Sequence, residues 1–233
     1  MIAIIGAMDG EIAEFLAVLE SKKEEKWTDF TFYTGTIEGR DVLVVKSGVG
    51  KVMAALAAQH IIDAYSPEAL IFSGLAGGLN PNLEIGDTLV AEDCIQHDLN
   101  AISLGFKRGE VPYSPYRILG CDKKLVDLAM GCVPEIGKVL KGRILTGDQF
   151  ITNRTLKSLQ YLYDDLAGDA VEMEGAAVGL VATVNRVPFL LIRIISDRAD
   201  TYAHMDFASF LPRASRTSLQ FIRHILRGLS GLS

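Results

Sequence analysis

The sequence is poor in what would tie it to nucleic acid, a metal or a membrane. Its 233 residues include three cysteines, one tryptophan and four histidines. Cys94, Cys121 and Cys132 are an odd number without the CxxC spacing of zinc and redox sites, so they are read as reduced packing residues. His60, His97, His204 and His224 show no HExxH or comparable spacing, so no metal and no other cofactor is expected. There is no Lys/Arg cluster, and the formal net charge is -6 at pH 7. That argues against nucleic acid as a partner, because such affinity comes mainly from basic side chains displacing counterions. No stretch approaches the roughly 20 uninterrupted apolar residues a spanning helix needs. Met1-Ile2-Ala3-Ile4-Ile5-Gly6 is too short for a signal h-region, lacks a basic n-region and runs straight into Asp9 and Glu11. A cytoplasmic, reducing location is expected.

What is present is core-forming. A hydrophobic content of 49% with 22% charged residues is that of an ordinary globular protein, expected to be one domain over 1–233. Short apolar runs at 2–5, 42–45, 69–72, 88–91, 170–171 and 189–195 have the composition of strands. Between them, 53–64, 123–130 and 175–185 read as helices, and 207–229 closes the chain with Leu219, Ile222, Leu226 and Leu229 on one stripe. Such alternation predicts an α/β fold, a mostly parallel sheet with helices on both faces. The segment 96–118, with Gly105, Gly109, Pro112 and Pro115, is the one long region without clear periodicity and is expected to belong to a site or an interface.

The informative residues are acids set against oily segments. Glu172 and Glu174 alternate in Val171-Glu172-Met173-Glu174-Gly175, and period two in a strand would put both on one face. Asp197 ends the apolar run at 189–195, a position where polar residues of α/β enzymes act. Arg193 lies within that run, and a buried guanidinium requires a carboxylate, for which Glu11 or Glu174 is available. Glu11 sits one turn into the helix after 2–5, where an acid also complements the helix dipole. Ionised carboxylates are costly to bury, so several beside core strands point to proton transfer or to stabilising a cation. Two glycine clusters accompany them. Ser47-Gly48-Val49-Gly50-Lys51 fails the phosphate-loop pattern, which needs Gly where Val45 stands and Ser or Thr where Val52 stands. Ser73-Gly74-Leu75-Ala76-Gly77-Gly78 follows the run 69–72 and is a structural turn or a site-forming loop.

Six segments in order, Ile5-Gly6-Ala7-Met8 with Glu11, Lys46-Ser47-Gly48-Val49-Gly50-Lys51, Ala76-Gly77-Gly78, Thr146-Gly147-Asp148-Gln149-Phe150-Ile151, Val171-Glu172-Met173-Glu174 and Arg193-Ile194-Ile195-Ser196-Asp197, resemble the 5'-methylthioadenosine/S-adenosylhomocysteine nucleosidases. The resemblance implies a nucleoside phosphorylase-like fold, a three-layer sandwich with a twisted mixed central sheet flanked by helices. It implies a homodimer that hydrolyses the bond between adenine and a 5'-thio-substituted ribose. It assigns Asp197 as the acid at adenine N7, Glu11 as the base for water, and Arg193 as the residue orienting the acids. Glu174 with Met173 would bind the ribose, Phe150 and the Ile151 backbone the purine, and Ala76 and Gly77 would line the substrate site. Met8, Val49, Ala101, Leu104 and Phe207 would form the alkylthio pocket, with Pro112 lent by the partner subunit. One departure is Leu75, where many members carry a Ser near the catalytic acid; its loss removes one hydrogen bond, worth ~1 kcal/mol, unless Ser196 or water substitutes. The rivals are a phosphorylase of the same fold, a futalosine-type hydrolase and a catalytically idle nucleoside-binding protein.

Overall fold

The computed structural model describes residues 1–152, 156–199 and 203–230, with side chains in the last stretch described for 210–229. In chain order the elements are β1 (Ile2–Gly6), α1 (Asp9–Val18), β2 (Glu20–Trp27), β3 (Phe30–Ile37), β4 (Arg40–Lys46), α2 (Lys51–Tyr65), β5 (Ala69–Gly78), β6 (Thr88–Gln96) and β7 (Leu119–Gly120). They continue as α3 (Lys123–Met130), β8 (Val139–Thr146), α4 (Tyr161–Asp164), β9 (Ala170–Glu172), α5 (Gly175–Asn185), β10 (Phe189–Asp197) and α6 (Ala203–Ser230).

The three layers follow from strands that are apolar on both sides. In β1, Ala3 and Ile5 face one core while Ile2 and Ile4 face the other, and β4 divides in the same way into Leu43 and Val45 against Val42 and Val44. The first core is closed by α2 and α5, whose Ala54, Ala57, Ala58, Ala176 and Ala182 are small enough to let the two helices approach. The second is closed by α1, α3 and α6, with Ile12, Phe15, Leu125, Val126, Phe221, Ile222 and Leu226 packed beneath the sheet.

Ten strands form one mixed sheet in the order β10-β6-β8-β9-β5-β1-β4-β3-β2, with β7 on β6 and a further pairing of β10 with β5. That last pairing closes β10, β6, β8, β9 and β5 into a ring, so one end of the sheet curls on itself while β4, β3 and β2 extend it at the other. The sheet is less parallel than strand-helix alternation implies. The meander β2-β3-β4 is antiparallel, as are the pairings of β10 with β6 and of β5 with β9. The run at 69–72 also continues through the second glycine cluster, so residues 74–78 are buried strand and not a turn or loop. Glycine is needed there for proximity: a Cβ at Gly74 would stand 2.5 Å from Glu11 Oε1, and one at Gly77 would stand 2.9 Å from Asp197 Oδ1.

Candidate active site

A cavity of about 250 Å³ opens where β5, β9 and β10 end. Glu11, Glu174 and Asp197 all line it, together with Met8, Val49, Ala76, Gly77, Phe150, Ile151 and Met173. Three acids separated by up to most of the chain's length therefore meet at one place. Phe150 is half-exposed at this cavity, while Ile151 is buried. Ala101 and Leu104 are not part of this lining, and Leu104 is solvent-exposed. Pro112 is half-buried in the segment before β7. Phe207 falls in α6, but its side chain lies outside the described residues.

Glu11 is buried in the first turn of α1, where its Oε2 accepts N–H groups of Ala7 at 2.6 Å and Met8 at 3.1 Å, and its Oε1 accepts that of Leu75 at 3.0 Å. Burial dominates these bonds and the nearby Arg193 charge, and it pushes the Glu11 pKa up. Asp197 is positioned by a break in register: β10 pairs Ile195 with Ala76 and then Asp197 with Gly77, a bulge that gives Ser196 no partner of its own on β5. Ser196 Oγ donates to Asp197 Oδ2 at 2.8 Å, and the Ala199 N–H donates to Oδ1 at 2.7 Å. Ser196 thus supplies a hydroxyl to Asp197, while the Leu75 backbone serves Glu11.

Arg193 is almost fully buried behind the cavity, with its guanidinium 4.3 Å from the Phe72 ring centroid. Its close partner is neither of the two expected carboxylates. Nη2 lies 2.5 Å from Glu172 Oε2 and 3.9 Å from Glu174 Oε2. The reason is local. The strand ends at Glu172, and Glu174 is the N-cap of α5 with φ -137° and ψ -38°, so the two acids share a side through a strand-to-helix junction and not through pleating. Burial works against the Arg193 charge, but Glu172, Glu11 and Glu174 more than reverse this and raise its pKa. Glu174 Oε1 accepts the Gly50 N–H at 2.8 Å. Burial, then the neighbouring Glu172, outweigh Arg193 and raise the Glu174 pKa to about 8.

Two groups of residues to which sequence reasoning gave no part in this centre support it. Thr146, at the end of β8, donates its hydroxyl to Glu172 and accepts the Ala176 N–H at 2.7 Å. Lys51, the first residue of α2, reaches Asp98 Oδ1 at 2.6 Å, and its N–H donates to Asp148 Oδ1 at 2.8 Å. Asp148 in turn donates its own N–H to Asp98 at 2.9 Å. The sequence did carry a signal for both, in Thr146-Gly147-Asp148 and in the glycine loop before Lys51, where Gly50 takes φ +94°. Among the described residues no group of His, Cys, Asp and Glu is arranged to hold a metal ion.

The chain matches the Phosphorylase superfamily over residues 1–227. It is 34% identical to a 5'-methylthioadenosine/S-adenosylhomocysteine nucleosidase of Bacillus subtilis, over 97% of this chain and 98% of that protein. The structure of the nucleosidase of the same description from Neisseria meningitidis, in complex with methylthio-immucillin-A, superposes with a TM-score of 0.90 at 29% identity and covers 97% of this chain and 98% of that one. A futalosine hydrolase mutant of Helicobacter pylori superposes with a TM-score of 0.89 at 31% identity, covering 97% and 98%.

Proposed function

The chain belongs to the Phosphorylase superfamily and, within it, to the 5'-methylthioadenosine/S-adenosylhomocysteine nucleosidases, and from this we infer how its cleft carries out their reaction. It is an adenosine-type N-ribosyl hydrolase, cleaving the N-glycosidic bond of 5'-methylthioadenosine and S-adenosylhomocysteine to release adenine and the 5'-thio-substituted ribose. The whole of 1–233 is read as one nucleosidase domain.

Breaking a ribosyl C–N bond leaves positive charge on the sugar and negative charge on the purine, so the site needs an acid at the base and acceptors at the ribose. Asp197 is the acid, protonating the departing adenine, with Ser196 and the Ala199 N–H holding its carboxyl in place. Glu11 takes a proton from water on the opposite side of the sugar, in the manner of the two carboxyls of an inverting glycosidase. A base raised toward neutrality by burial is better matched to that proton. Arg193 tethers the acids from behind, Glu174 and Met173 bind the ribose, and Phe150 and the Ile151 backbone hold the purine. Met8 and Val49 line the end of the cavity that accommodates the 5'-thio substituent, to which the family resemblance also assigns Phe207. The observation that carries this reading is the meeting of Glu11, Glu174 and Asp197 in one cavity with these apolar walls.

A phosphorylase would need a free cation near the glycine segments. Lys46 is paired with Asp9 at 2.8 Å, Lys51 with Asp98 at 2.6 Å and Arg193 with Glu172 at 2.5 Å, so each candidate already has a carboxylate. Purified protein incubated with methylthioadenosine in phosphate-free buffer is therefore expected to release free adenine, and Asp197→Asn to lose at least ~10²-fold in rate, the lower range of general-acid contributions. A requirement for phosphate, or a variant as fast as the parent, would overturn the assignment. The futalosine hydrolase likeness supports a second reading, and comparing 6-amino with 6-oxopurine nucleosides separates the two.

The active form is a homodimer. The face of α2 opposite its buried alanines carries Val52, Met53 and Leu56, all exposed, and the Lys51–Asp98 pair joins the start of this helix to the segment leading to exposed Ile102 and Leu104. A helix apolar on both faces requires a second covering surface. Pro112 and its neighbours would then be lent to the partner's alkylthio pocket. No described helix is long and apolar enough to cross a membrane, and we place the enzyme in the cytoplasm.

A further inference from the structure

Glu172 lines the same cavity as the three acids, yet its carboxylate is turned almost wholly to the protein. Its Oε2 accepts the Glu174 N–H at 3.0 Å, the Gly175 N–H at 2.7 Å and Arg193 Nη2 at 2.5 Å. Its Oε1 accepts the Thr146 hydroxyl and shares the Gly175 N–H at 3.0 Å. The residue is buried, so the attachment is not screened by solvent. Thr146 extends it one step further by capping the Ala176 N–H. One side chain therefore joins the ends of β8 and β9, the first turn of α5 and the only guanidinium that reaches the acid cluster among the described residues.

The consequence falls on Glu174. Arg193 serves three carboxylates with one charge, and its distances are unequal, 2.5 Å to Glu172 against 3.9 Å to Glu174. The groups facing Glu174 are Glu172 from β9, Arg193 from β10, Glu11 from α1 and the Gly50 N–H from the loop before α2. Asp197 lines the same cavity, and Lys51, next to Gly50, is committed to Asp98 and Asp148. We propose that Glu172 is a positioning residue for this reaction: it holds Arg193 and the α5 N-terminus, fixes the place of the ribose-binding Glu174 carboxyl, and decides how much of the guanidinium charge reaches it. The elevated Glu174 pKa, about 8, agrees with that division of charge. The proposal rests on Glu174 binding the ribose.

Glu172→Gln keeps the shape and removes the charge. Arg193 is then released toward Glu174 and Glu11, and the repulsion from Glu172 disappears. Both effects favour ionised Glu174, so its inflection in a pH profile of kcat/KM moves to lower pH, whichever form of Glu174 binds the sugar. Misplacement of the site lowers kcat/KM for methylthioadenosine by about 100-fold, the order expected for an ångström-scale displacement. Inhibition by free adenine, which has no ribose, is unchanged. An unmoved inflection in a folded variant overturns the proposal, as does an equal loss of adenine affinity. Because removing one member of a buried ion pair is strongly destabilising, Thr146→Val is the second variant. It leaves every charge in place, and it is expected to raise KM for the nucleoside without changing adenine inhibition; an unchanged KM overturns the proposal. Failure of the parent protein to release adenine would be a failure of the assigned reaction instead, so the two outcomes are distinguishable.

Discussion

Glu174 makes its own stability measurable. Burial and Glu172 hold its folded pKa near 8, against 4.5 for an ordinary glutamate. The folded state thus binds a proton that the unfolded chain releases between these values. The stabilisation from this group is complete below about pH 4.5, declines as pH rises, and is gone above about pH 8. Glu174→Gln removes that slope. Its Tm relative to the parent is expected to climb from pH 5 to pH 8 and level off beyond, in a thermal-denaturation series; a constant difference across the series would refute the perturbation. Much of the site was legible at this scale. Carboxylates flanked by apolar runs are costly without a purpose, which singled out Glu11, Glu174 and Asp197. The partner of Arg193 was not legible, because the turn from β9 into α5 decides which of two nearly adjacent glutamates faces it. Lys51 was weighed only as a phosphate ligand, because its pairing with Asp98 and Asp148 spans chain separations that no local pattern records.

Elements carry the site through their ends. β5 and β10 run parallel with Arg193 opposite Gly74, and the bulge after Ile195 redirects the last residues of β10 over Gly77. α2 begins where Gly50 meets Glu174, and Lys51 ties that start to Asp98 beyond β6 and to Asp148 beyond β8. Lys51→Met leaves the two aspartates facing each other without a cation. Stability is expected to fall by about 1–3 kcal/mol, as for unpaired, partly buried polar groups. Because Asp148 stands two residues before Phe150, adenine inhibition should weaken more than the binding of a free 5'-thioribose; calorimetric titration of the two products checks this, and equal weakening would deny the link. The strands within the core were readable from apolar runs. Four others were not, of which β7, with two residues, is too short to carry a period. β2 is charged at every position but Ser21 and Trp27 and exposed up to Trp27, so it has no buried face to imprint a period. β3 is half-buried with Thr and Gly at alternate sites, and β8 interrupts its apolar residues with Lys141, Gly142 and Arg143. The glycines of β5 resemble loop residues until the strand is seen passing close beneath Glu11 and Asp197.

At the scale of the whole molecule, the proposed homodimer rests on the exposed stripe of α2. Val52 is 70% exposed and Leu56 46%, on a helix whose other face is fully buried. The double variant Val52→Asp with Leu56→Asp is expected to convert a dimer to a monomer by light scattering. If the neighbouring subunit lends its Pro112 segment, KM for methylthioadenosine should rise severalfold in the same sample; a parent that is already monomeric at micromolar concentration would refute this. The ring made by β10, β6, β8, β9 and β5 has a separate consequence at the opposite end of the sheet. Closure leaves β2 as the one long strand among the described residues whose outer hydrogen-bonding groups face no neighbour. Its sequence, Glu20-Ser21-Lys22-Lys23-Glu24-Glu25-Lys26-Trp27, sets ions of both signs along that rim. Another chain laid against it would have to strip water from those ions, so charge along this seam guards it against ribbon-like aggregation.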